Sequence, residues 1–139
     1  MTGAARAPVA APSLFLAFDY GTRRVGVASG NGLTRTATSL TTLAQSGDAA
    51  RFAAIGQLIA EWQPAALVVG VPRHPDGAAH DNTRRAERFA RQLRGRFGLP
   101  VHEVDERYTT TEALAAGAAD VDAASAALIL EQFFNQPTP

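Results

Sequence analysis

The sequence predicts an α/β protein: a mixed five-stranded sheet, three antiparallel strands first and strand–helix alternation after, with helices on both faces. Three observations predict it. The N-terminal third holds short β-rich runs parted by turn residues, the stretch from Phe52 to Trp62 switches to apolar spacings of three and four, and the run 66–71 is apolar on both alternating faces. With 46% hydrophobic and 19% charged residues in 139, the chain can bury a sizeable core.

Residues 14–20 and 24–29 read as strands joined by a Gly21-Thr22-Arg23 hairpin, and the weaker alternation of 33–39 as a third, edge-ward strand. Ser46 or Asp48 can cap a helix whose apolar residues are Phe52, Ile55, Ile59 and Trp62, closed by Pro64. Residues 66–71 form a buried central strand, and 72–82 a polar loop. A helix over 83–97 buries Ala86, Phe89, Ala90, Leu93 and Phe97. Gly98-Leu99-Pro100 stops it before a fifth strand at 101–105, and Ala-rich helices over 110–118 and 122–134 complete the order. This βββ-α-β-α-β-α-α succession is the layout of the ribonuclease-H-like fold. Residues 14–135 are expected to form a single domain, with 1–13 a flexible leader and 136–139 a frayed tail.

Composition excludes several chemistries. Without Cys there is no disulfide scaffold, thiolate catalysis, zinc ribbon or iron–sulfur cluster. All thirteen basic residues are Arg, so a lysine Schiff base and a P-loop lysine are also excluded. No apolar run approaches the roughly 20 residues of a membrane span, and the Pro-interrupted start does not read as a signal peptide, so a cytoplasmic protein is expected.

Thirteen acids cancel the arginines overall, but not locally. Residues 83–98 carry six arginines against Glu87, and 103–122 carry six acids against Arg107. Arg84, Arg85, Arg88 and Arg91 fall opposite the Phe89/Leu93 stripe. They form either a solvated helix face or a stripe whose guanidinium forks match phosphate oxygens. Asp19, the penultimate residue of the first strand, is either a turn former at the hairpin or a carboxylate that pairs with a cation or faces the sheet's open end. Asp105-Glu106-Arg107 ends the fifth strand, as a charge cluster with its own counterion or as part of the same edge. Asp122 precedes the last helix, where capping alone would account for it. With the first, fourth and fifth strands side by side, Asp19 and Glu106 reach neighbouring carboxyl ends, where ligands of open α/β sheets bind. A helix starting at Asp122 brings a third acid there. Such carboxylates repel unless they hold a cation, and hard oxygen ligands suit Mg²⁺ or Mn²⁺.

At these residues the sequence resembles the YqgF/RuvX family, described as Holliday-junction-resolvase-like proteins or pre-16S rRNA nucleases. Phe18-Asp19-Tyr20-Gly21-Thr22-Arg23-Arg24-Val25-Gly26-Val27-Ala28 is similar to its opening motif. Val68-Val69-Gly70-Val71-Pro72 with Asp76-Gly77, then Asp105-Glu106-Arg107-Tyr108-Thr109-Thr110, and finally the stretch from Val121-Asp122 to Leu130 follow in register. The resemblance implies a bacterial cytoplasmic nuclease with a ribonuclease-H-like core, using Mg²⁺ or Mn²⁺. Its partner would be nucleic acid, with precursor rRNA trimmed at the 5′ end and branched DNA as a further substrate. A monomer suffices for trimming; a homodimer suits a junction.

It also implies that Asp19, Glu106 and Asp122 are the catalytic, metal-binding acids, with Asp105 and Asp120 in reserve. Arg23, Arg24, Arg73 and Arg107 join the α-helical arginines as nucleic-acid contacts. Two features depart from the family. The segment 115–121 is short and has no basic residue where the family carries a longer basic one, which makes Asp120 a competing ligand. Arg73-His74-Pro75 replaces a Leu-Asn-Met-like stretch, and His74 and His80 there could position substrate or protonate a leaving group. Two other classes compete. A non-catalytic module binding structured RNA or a ribosome-assembly partner would share the fold. The Asp19-Tyr20-Gly21 turn also resembles that of sugar-kinase/actin ATPases, which need two such domains and a second glycine-rich loop.

Overall fold

The structure, a computed structural model, describes residues 13–44, 47–72, 81–105 and 120–136. Its elements are β1 (Leu14–Asp19), β2 (Val25–Asn31), β3 (Thr36–Leu43), α1 (Asp48–Trp62), β4 (Ala66–Val71), α2 (Asp81–Phe97), β5 (Val101–Asp105) and α3 (Val121–Phe134). The five strands form one sheet in the order β3-β2-β1-β4-β5. β1 is antiparallel to β2 and parallel to β4, which is parallel to β5, so the sheet is mixed as expected. The expected helix over 110–118 lies outside the described residues, as do the expected leader and tail but for Ser13 and Gln136.

The two faces of the sheet are covered differently. Leu16 and Phe18 of β1 and Val69 and Val71 of β4 pack with Phe52 and Ile55 of α1 and Phe89 and Leu93 of α2. The alternate residues, Ala17 and Val68, pack with Ile129 and Leu130 of α3. Because both faces are covered, every residue of β4 is buried, and its unbroken apolar run is the consequence.

α3 lies close because the strand beneath it is stripped of side chains. Gly26, Ala28 and Gly30 alternate onto one face of β2, and Ala126 and Ala127 of α3 meet Ala28 there. A Cβ on Gly26 would stand 1.9 Å from the Asp122 carbonyl oxygen, and one on Gly30 2.5 Å from Leu130 Cδ2. Small residues on both partners thus fix how near α3 approaches and where it starts.

Several boundaries differ from the sequence expectation. β3 runs over Thr36–Leu43 rather than 33–39 because Asn31 starts a turn: its Oδ1 accepts from the amides of Leu33 at 2.8 Å and Thr34 at 3.4 Å. Arg35 leaves that turn with φ of 56°, in the left-handed region. Asp48 does not cap α1 but is its first helical residue, Gly47 being the cap; Ser46 lies outside the described residues. α1 ends at Gln63, left-handed with φ of 47°, ahead of Pro64. α2 begins two residues earlier than expected, with the buried Thr83 hydroxyl donating to the Pro72 carbonyl.

Candidate active site

Asp19 ends β1 with Gly26 beside it on β2 and Gly70 beside it on β4. Alternation from Ala17 sets it on the α3 face, between two positions with no side chain. Since the backbone of Asp122 rests directly on Gly26, Asp122 comes to the position across from Asp19. Residues from opposite ends of the sequence therefore meet at the carboxyl edge of β1.

The start of α3 is pinned from two sides. Asp120, not Asp122, is the N-cap: its Oδ1 accepts from the Ala123 amide at 3.1 Å and from the Thr42 hydroxyl of β3 at 2.6 Å. The Thr42 hydroxyl first, then the Ala123 amide, hold its carboxyl below the usual aspartate range. Asp122 is two residues further on and has no capping duty. Its Oδ2 meets Arg24 Nε at 3.0 Å, with the Asp122 side chain about one-third exposed. The reading of Asp122 as a cap is thereby replaced: capping belongs to Asp120, and Asp122 faces a cation.

Asp105 ends β5 opposite Val71, a residue of the α1–α2 side of the sheet, so its register sets it on the other face from Asp19. Glu106, Arg107, Arg73, His74 and His80 lie outside the described residues. Among the described residues no group of three His, Asp or Glu side chains is placed to hold a metal ion. Asp19 and Asp122 are the two of the three expected acids that the structure describes, and it brings them to one edge.

The cationic face of α2 is real but divided. Arg94 donates to the Val101 carbonyl at 2.8 Å and stands 3.3 Å from Glu103, and Arg96 lies over the Phe52 ring at 4.2 Å. Arg84 stands 3.3 Å from Asp81. Arg85, Arg88 and Arg91 are exposed, as are Arg23 and Arg24 of the hairpin. Sequence reasoning passed over Arg51, which is 4% exposed on α1 and donates to the Thr22 carbonyl at 2.8 Å. Its signal was its place: it stands four residues before Ile55, on the apolar side of the helix. No helix among the described residues is long and apolar enough to cross a membrane.

Comparison with known proteins shows the family to which the chain is related. The family model described as "RuvX: Holliday junction resolvase" matches residues 13–136. The chain is 71% identical over 121 residues to a "Putative pre-16S rRNA nuclease" of Polaromonas sp. (strain JS666 / ATCC BAA-500), covering 87% of each. It is 52% identical over 132 residues to a protein of the same description from Burkholderia vietnamiensis (strain G4 / LMG 22486), covering 88% of this chain and 89% of that one. Among solved structures, Thermus thermophilus RuvC in complex with a Holliday junction substrate superposes with a TM-score of 0.54 at 17% identity. That match covers 87% of this chain and 92% of RuvC. At that identity the likeness is one of fold, and the fold is ribonuclease-H-like.

Proposed function

Because this chain belongs to the RuvX (YqgF) family, we propose that it is a metal-dependent nuclease that trims the 5′ end of precursor 16S rRNA. Asp19, Asp122 and Glu106 are its acids in this reading. The observation that carries it is the seating of α3 on Gly26, which sets Asp122 across from Asp19 at the carboxyl edge of β1.

The donor set fits a hard divalent ion. Asp19 and Asp122 offer only carboxylate oxygens, the chemistry that Mg²⁺ and Mn²⁺ prefer. Arg24, 3.0 Å from Asp122, is the cation that a metal ion would replace at that carboxylate. When bound, the ion would polarise the phosphodiester and lower the pKa of an attacking water. The chain's own residues do the rest. Asp19 and Asp122 hold their oxygens at the edge, and Gly26 gives the room that the Asp122 backbone fills. Arg23 and Arg24 beside it, with Arg85 and Arg88, offset the repulsion that acids alone would exert on a polyanion. Precursor rRNA is the favoured substrate on the description of the close relatives, with branched DNA a further substrate on that of the family. One active site suffices for RNA trimming, in the bacterial cytoplasm, whereas a four-way junction calls for a symmetric pair.

Cleavage of a precursor rRNA fragment tests the proposal. Chelator should abolish cutting, Mn²⁺ or Mg²⁺ should restore it, and Asp19→Asn should lower it at least about 100-fold while sparing RNA binding. RNA binding with no metal-dependent cleavage of RNA or branched DNA would leave a non-catalytic binding module.

A further inference from the structure

Arg51 is a buried cation whose bonds do not explain it. Its Nη2 uses the Thr22 carbonyl, and the guanidinium carbon stands 5.5 Å from the Tyr20 ring centroid. Its Nε is buried with no hydrogen-bond partner. A guanidinium carries five N–H donors and cannot shed its charge. Leaving such a donor unpaired in the interior costs about 1–3 kcal/mol, and buried charges are ordinarily paired. Among the described residues no carboxylate stands within ion-pair distance of it.

What Arg51 lines instead is a cavity of about 130 Å³ at the seam of α1 and α2. Arg85, Arg88 and Gln92 reach its wall from successive turns of α2, and Thr22 from the hairpin. Among the described residues Asp48 is the one acid on the wall, against three guanidinium groups. The space has room for a phosphate group. It adjoins a second cavity of about 340 Å³ that shares Tyr20, Thr22 and Arg85 and extends to Pro72 and Asn82. A chain seated in the first can therefore continue into the second.

We propose that the Arg51–Arg85–Arg88 cleft is a phosphate-binding subsite that takes an internal phosphodiester of the substrate, on the opposite face of the sheet from Asp19 and Asp122. The identity of the ligand rests on the nuclease reading. Tyr20 packs against Phe89 on the α1–α2 face, with ring centroids 4.9 Å apart, whereas the preceding Asp19 faces α3. A strand held in the cleft must cross the hairpin, past Arg23 and Arg24, to reach the acids. The subsite thus fixes which bond arrives there.

The test uses the full chain, a short fluorescent single-stranded RNA, and chelator to prevent cutting. Arg85→Ala and Arg88→Ala should each weaken binding about tenfold and lower the salt slope by about one. Arg84→Ala and Arg91→Ala remove equal charge from the same helix outside the cleft and should cost about twofold or less. Equal losses from all four overturn the subsite. A loss confined to RNA bearing a 5′-phosphate overturns the internal phosphodiester. Inorganic phosphate should raise the Tm of the wild type over chloride at matched ionic strength and fail to raise that of Arg51→Met; equal shifts overturn the role of Arg51. Should Arg51→Met not fold, the four exposed variants still decide. Phosphate binding here without cleavage keeps the subsite and removes the nuclease, whereas metal-dependent cleavage with four equal variants removes the subsite alone.

Discussion

Asp120 and Asp122 carry the same carboxylate two positions apart, and their neighbours divide the work between them. Asp120 spends its Oδ1 on the Thr42 hydroxyl and the Ala123 amide, while Asp122 turns to Arg24. Those two hydrogen bonds lower the pKa of Asp120 below its unfolded value. A depressed carboxyl stabilises the fold above the unfolded pKa, about 3.9, and the contribution is lost as pH falls through the folded value. Asp120→Ala should therefore cost about 1 kcal/mol at pH 7, lowering Tm by a few degrees. The gap from wild type should shrink below about pH 4; a gap that stays constant on thermal denaturation across that range would contradict the assignment. The sequence pointed to this turn but to the wrong acid, because naming a cap demands the helix start to within one residue. Arg51 was harder still, since one charged residue in an apolar stripe has no meaning until the cavity beside it is seen.

At the scale of elements, the contact between β2 and α3 decides whether the acids meet. Gly26 is required by distance and not by backbone conformation: it is absent from the positive-φ residues, and its hydrogen occupies space that a methyl cannot. Gly26→Ala should cost about 2–3 kcal/mol in chemical denaturation and displace the start of α3. Because that displacement carries Asp122 away from Asp19, the proposed metal-dependent cleavage should fall by more than the folded fraction does. Activity per folded molecule equal to wild type would separate the two. Most elements were legible from the period of apolar residues, which the packing then used: Phe89 and Leu93 inward on α2, Ile129 and Leu130 inward on α3. The start of β3 was not, because the Asn31 side chain supplies the turn through hydrogen bonds that periodicity does not register.

For the whole molecule, β1 in the middle of the sheet is what brings the proposed acids Asp19 and Asp122 to one edge. Its central place was inferable from the apolar β4 run and the strand–helix alternation, so Asp19 could be put at the edge from sequence. The approach of α3 was not, since it depends on glycines whose purpose shows only against a packed helix. A cation bridging β1 and α3 would stabilise the entire fold by mass action. Mn²⁺ at about 100 times its Kd should add about 2.7 kcal/mol, seen as a rise in Tm that Asp19→Asn lacks. An equal rise in both would place the ion elsewhere.

The outward side of α2 has one more consequence. Every cation on it is a guanidinium, and the chain contains no lysine. Guanidinium groups stay protonated throughout the physiological range, and with no side-chain amines there is nothing on this helix for an acetyltransferase to neutralise. Ionic strength is what screens the charge of this face.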